Sequence, residues 1–179
     1  MASLVSTPVV GLYTFELPFV GNSTIPDGQN QVWIRFSIYD PCVVNDVRVV
    51  ANITHTSVSD LILKLVAPNG DKAILAKRPC LGCDPGYNAN LDASEPLVFH
   101  DDANGNPKKI GEGIPTDEII PSKTYKSVGR SSTTFDRLMD LDGTNSFGNW
   151  TLRVEDANAN NETGFITGAT LVVTGDCQT

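Results

Sequence analysis

Asp46–Gly70 reads DVRVVANITHTSVSDLILKLVAPNG, and its period decides the fold. In Val47–Thr54, Val47, Val49, Ala51 and Ile53 alternate with Arg48, Asn52 and Thr54. That two-residue repeat belongs to a strand with one buried face. In Leu61–Val66, Leu61, Leu63 and Leu65 point one way, while Lys64 shares the other face with Ile62 and Val66. A Ser/Thr/His loop joins the two runs. Pro68-Asn69-Gly70-Asp71 then supplies turn chemistry, with Gly70 free to take a positive φ. Ala73–Ala76 is the expected return strand of a hairpin. No nucleophile has a base beside it here, so the stretch reads as scaffold.

The same period recurs outward from this stretch. Val32, Ile34, Phe36 and Ile38 alternate with Trp33, Arg35, Ser37 and Tyr39, and Asp40-Pro41 closes the run. Trp150, Leu152 and Val154 alternate with Thr151, Arg153 and Glu155, which places the three apolar side chains in the core of a central strand. Asp156–Gly164 is a polar turn and Ile166–Thr174 the closing strand. Val9–Phe19 alternates in part, and Pro18 keeps it out of a central position because proline cannot donate to a ladder. Residues 1–24 therefore read as a linker or edge strand and residues 25–176 as one domain. Two long stretches, 77–96 and 103–145, are rich in Gly, Pro, Asn and Asp, with one short strand or helical turn near Phe135–Met139. Nothing sustains a helical period, so an all-β antiparallel sandwich is the expected fold.

Bulk properties bound the function. A chain of 179 residues suits a single domain with a core of its own. A formal charge of -8 and a pI near 4.6 argue against nucleic acid or an anionic membrane as the main partner. No apolar run reaches the length of a membrane span. Met1-Ala2-Ser3 lacks the basic and apolar regions of a signal peptide, which leads to the expectation of an excised segment whose targeting sequence is gone.

The chemistry-bearing residues are few. Only His55 and His100 are available as general bases, and no Ser sits in a Gly-x-Ser-x-Gly elbow. No catalytic residue is assigned, and His55 reads as a loop histidine bonded to backbone. Cys42, Cys80, Cys83 and Cys177 allow three pairings. Cys80-Leu81-Gly82-Cys83 has no second close pair for zinc and no βαβ setting for redox work. If the strands after Cys42 and before Cys177 run antiparallel as neighbours, these two cysteines meet, leaving Cys80 to pair with Cys83. Asp102-x-Asn104-x-Asn106 and Asp156-x-Asn158-x-Asn160 begin like EF-hand loops but lack the required glycine. A calcium ion held between loops by Asp60, Asp101 and Asp102 is the remaining metal expectation, on the premise that antiparallel strands bring the three carboxylates together. Sequons occur at Asn22, Asn52, Asn149 and Asn161, and Asn161 is the expected glycan acceptor if the source is eukaryotic and secretory.

The order of motifs resembles a known family. Val47-x-Val49, Ile53-x-His55, Asp60-Leu61-x-Leu63-x-Leu65 and Ala67-Pro68-Asn69-Gly70 are similar to the first half of the P domain, or Homo B domain, of kexin- and furin-like proprotein convertases. Val98-Phe99-His100-Asp101-Asp102-Ala103, Ile120-Pro121, Gly148-Asn149-Trp150-Thr151-Leu152-x-Val154-x-Asp156, Gly164-x-Ile166 and Leu171-Val172-Val173 resemble the second half, so the likeness spans residues 25–175. Ala169, where the family often has an aromatic, and the CxxC loop depart from the pattern. The resemblance implies a jelly-roll-like β-sandwich with no active site of its own. Its implied role is to stabilise or regulate an adjacent subtilisin-like serine endopeptidase domain in a secreted multidomain protein. The alternative from another class is a carbohydrate- or surface-binding module. Trp33, Tyr39, Tyr87 and Tyr125 are the aromatics free for it, but Trp33 and Tyr39 stand about 20 Å apart on one strand, too far to stack adjacent sugars.

Overall fold

The computed structural model describes residues 10–28, 30–128 and 136–178. Val9 and Phe135, which bound two of the predicted segments, lie outside the described residues. The strands are β1 (Val10–Ile25), β2 (Gln31–Ile38), β3 (Cys42–Thr54), β4 (Leu61–Val66), β5 (Lys72–Lys77), β6 (Leu97–Phe99), β7 (Lys123–Tyr125), β8 (Gly148–Asp156) and β9 (Gly164–Gln178). They form a five-stranded sheet in the order β1-β9-β3-β6-β7 and a four-stranded sheet in the order β2-β8-β4-β5. Every ladder is antiparallel except β6 with β7. Among the described residues no helix is long and apolar enough to cross a membrane.

The alternation of each strand becomes the core between the sheets. Val47, Val49, Ala51 and Ile53 of β3 are buried against Leu61, Leu63 and Leu65 of β4 and Trp150, Leu152 and Val154 of β8. Burying side chains of this size stabilises by about 1.5–3 kcal/mol each. Trp150 is fully buried, and its indole N–H donates to the Ser146 carbonyl at 2.9 Å. β1 is an edge strand that runs the length of β9, and Pro18 sits in it opposite Thr170. β3 and β4 are consecutive in sequence yet belong to different sheets, so the His55–Asp60 loop crosses the end of the sandwich. That loop holds a 3-10 turn at Val58–Asp60, and the long irregular stretches contain two more, at Pro107–Lys109 and Leu138–Leu141, which pack against β5.

Candidate functional site

Cys42 and Cys177 are direct partners in the β3–β9 ladder and form a disulfide, while Cys80 bonds Cys83. The first closes one end of the five-stranded sheet. The second ties the loop that Cys80 joins to Lys108 through a backbone hydrogen bond of 2.8 Å.

The sandwich carries a separate polar cluster at each end. At one end, His55 follows β3 and is buried with Ser57, Ser59, Asp60 and Asp156. His55 Nδ1 accepts from the Ser57 backbone N–H at 3.1 Å, and Nε2 lies 3.2 Å from Asp156 Oδ2. Asp156 Oδ1 accepts from the Asn158 N–H, so both its oxygens are engaged. Gly164 is obligatory beside this pair, since an added Cβ would fall 2.5 Å from the Thr54 carbonyl oxygen. Asp60 Oδ2 accepts from Asn160 Nδ2 at 3.1 Å, and Arg78 Nη2 stands 3.7 Å from Oδ1, which has no hydrogen-bond donor of its own. The Arg78 charge opposes that of a carboxylate almost wholly removed from water, without which its burial is costly.

Ser57, His55 and Asp156 are the residue types of a hydrolase triad, but the connections differ. The Ser57 hydroxyl bonds Ser59 Oγ at 3.0 Å, and the ring nitrogen facing Ser57 is taken by its backbone. The imidazole is 1% exposed, so no substrate carbonyl reaches it. The cluster holds a loop across the sandwich end, and His55 does bond backbone as its loop position suggests.

At the other end, His100 follows β6 and its Nε2 contacts both Asp46 carboxylate oxygens, at 3.1 and 3.2 Å. Asp101 Oδ1 accepts from the Ser127 hydroxyl at 2.9 Å, and that hydroxyl accepts from the Leu138 N–H. Asp102 and Asp142 border the same shallow hollow. Partial burial and then the neighbouring Asp46, Asp101 and Asp140 carboxylates push the Asp142 carboxyl above its ordinary range.

The expected meeting of Asp60 with Asp101 and Asp102 does not occur. Asp60 precedes a strand of the four-stranded sheet and lies at the Thr54 end of β3, whereas Asp101 and Asp102 lie at its Asp46 end. The two ends are roughly 25 Å apart along β3. A calcium ion held jointly by these three aspartates is therefore not what the fold offers. Among the described residues no three His, Cys, Asp or Glu side chains are grouped to hold a metal. Of the sequons, Asn52 Nδ2 is committed to the Ala93 carbonyl and Asn149 Oδ1 to the Ser37 hydroxyl. Asn161 stands exposed in a turn with a φ of 66°.

Sequence periodicity does not announce a third feature, which the register creates. On the outer face of the four-stranded sheet, Trp33 of β2 lies opposite Arg153 of β8, which lies opposite Lys64 of β4. The Arg153 guanidinium carbon sits over the indole, 4.6 Å from its centroid. In the next row Arg35 and Lys72 mark the two edges.

Comparison of the sequence with protein families finds no match. Comparison with curated proteins finds none either. Solved structures do share the fold. A chain in the crystal structure of the Aeromonas sobria serine protease and chaperone complex is 18% identical, with a TM-score of 0.56 over 94% of this chain and 27% of that one. A chain in the crystal structure of the Aeromonas sobria serine protease is 17% identical, with a TM-score of 0.56 over 94% of this chain and 28% of its own length. The present chain thus spans little more than a quarter of these neighbours, and at such identities the likeness is one of fold.

Proposed function

We propose that this chain is a non-catalytic accessory domain of the P type that stabilises or regulates an adjacent subtilisin-like serine endopeptidase domain in a secreted multidomain protein. The observation that carries the reading is the fold match over nearly the whole chain to about a quarter of Aeromonas serine protease chains. The P-domain-like order of motifs supports it independently, because the residues of those motifs occupy defined structural positions. Asp60 and Asp156, which open and close the two most specific blocks, sit in the same buried cluster with His55 and Gly164. Two disulfides accord with an oxidising, extracellular setting. The closed His55–Asp156 pair accords with chemistry carried by another domain.

The test is the native polypeptide. Peptide mapping of the full-length protein from its source is expected to place a subtilisin-like catalytic domain beside residues 25–176. A native chain with no hydrolase domain would remove the basis of the reading.

A further inference from the structure

We propose that the outer face of the four-stranded sheet, centred on Trp33, Arg153 and Lys64, binds a carboxylated polysaccharide. The chain is acidic overall, yet this face is cationic. Arg35, Lys64, Lys72, Lys77 and Arg153 all project from it, and the carboxylate that its four strands set among them is that of Glu155, which accepts from Gln31. Arg153 and Lys64 are direct cross-strand partners. Like charges so placed repel and destabilise a sheet unless an anion lies between them. None of the five cations has a carboxylate within salt-bridge distance among the described residues. Arg153 Nε is buried without an acceptor, so the guanidinium is held by its stack on the indole rather than by a counter-charge.

The shape of the face selects the partner. Trp33 is 51% exposed. Stacked on Arg153 yet half exposed, its indole offers a flat apolar surface beside the cations. Such a platform suits the C–H face of a pyranose, and the cations beside it suit the carboxylate of the same or the next sugar, since ionised pairs of this kind are the stronger hydrogen bonds. The Thr151 side chain lies in the row between Arg35 and Lys72 and offers a hydroxyl to the sugar's own. A single indole with flanking cations also removes the spacing problem of Trp33 and Tyr39, because charge supplies the contacts that a second aromatic would otherwise make. The inference is independent of the proposed protease neighbour.

Affinity electrophoresis of the chain in gels containing polygalacturonate tests it, with neutral dextran, poly-glutamate and phosphatidylglycerol vesicles as comparison probes. Polygalacturonate is expected to retard the chain and neutral dextran to leave it unaffected. Lys64→Gln with Arg153→Gln should weaken retardation roughly tenfold, and Trp33→Ala by several-fold. Arg48→Gln with Lys123→Gln, which lie on the five-stranded sheet, should leave it unchanged. If the Arg153 variant does not fold, Lys64→Gln with Lys72→Gln carries the same expectation without disturbing the stack. Absence of retardation by polygalacturonate overturns the proposal, as does retardation that survives the Lys64 and Arg153 substitutions. Equal or stronger binding of poly-glutamate overturns it in favour of an acidic polypeptide, and preferential binding of the vesicles in favour of a membrane surface.

Discussion

At the scale of the residue, burial separates the aspartates into two kinds that the sequence writes alike. Asp60 and Asp156 are inside, each committed to named partners, whereas Asp102 and Asp142 border a hollow at the surface. The sequence showed Asp60 and Asp156 as parts of motifs but not that they are neighbours, because that depends on the β4–β8 ladder, which sets Leu61 opposite Asp156. Asp156→Ala leaves the His55 ring and the Asn158 N–H without their acceptor. The expected cost is about 1–3 kcal/mol for each buried group left unsatisfied, read from chemical denaturation. An unchanged midpoint would mean that the pair has no structural role. Trp150→Ala removes the largest fully buried side chain and is expected to cost about 3–5 kcal/mol in the same measurement. Asp142 gives a prediction of opposite sign. Its carboxyl is raised, so the folded chain holds the proton more tightly than the unfolded one, and stability falls as pH rises through the folded value. Asp142→Asn should therefore raise the melting midpoint at pH 7, more at low salt, and the gain should vanish once pH drops below the ordinary carboxylate range. A variant that melts lower than the parent at pH 7 would show that Asp142 is not held against its neighbours.

At the scale of the element, the strands were legible and their partners were not. Leu61–Val66 is β4 at the predicted bounds, and β5 returns beside it as a hairpin. Alternation identifies a strand because it is local. Sheet membership depends on pairings distant in sequence, so nothing in the run Asp46–Gly70 tells that β3 and β4 part into different sheets. β7, three residues long and parallel to β6, carries too short a period to be read at all. The adjacency of Cys42 and Cys177 follows from the antiparallel placement of β3 and β9, which with the β4–β5 hairpin is a pairing that the chain order suggested. These cysteines span 135 residues and Cys80 and Cys83 only three. Loop-closure entropy then predicts that Ser replacements of the first pair cost about 3–5 kcal/mol and of the second no more than about 2 kcal/mol. Thermal melting of the two double variants checks the order, and a larger loss from the short loop would contradict it.

At the scale of the whole molecule, the described residues form a closed sandwich with a polar cluster at each end and a cationic face on one sheet. The two-sheet architecture was legible because nearly every strand alternates. The cationic face was not, because it arises only when β2, β8 and β4 lie in register. The central claim is that this domain serves a neighbouring protease, and deleting it from the native polypeptide tests that most directly. The full-length protein and a version lacking residues 10–178, the extent of the sandwich, would be incubated at rising temperature and their residual peptidase activity followed against time. The account predicts that the shortened protein inactivates faster at each temperature, with the intact protein retaining activity longest. Identical inactivation of the two proteins, or a native polypeptide with no peptidase activity to lose, would contradict it.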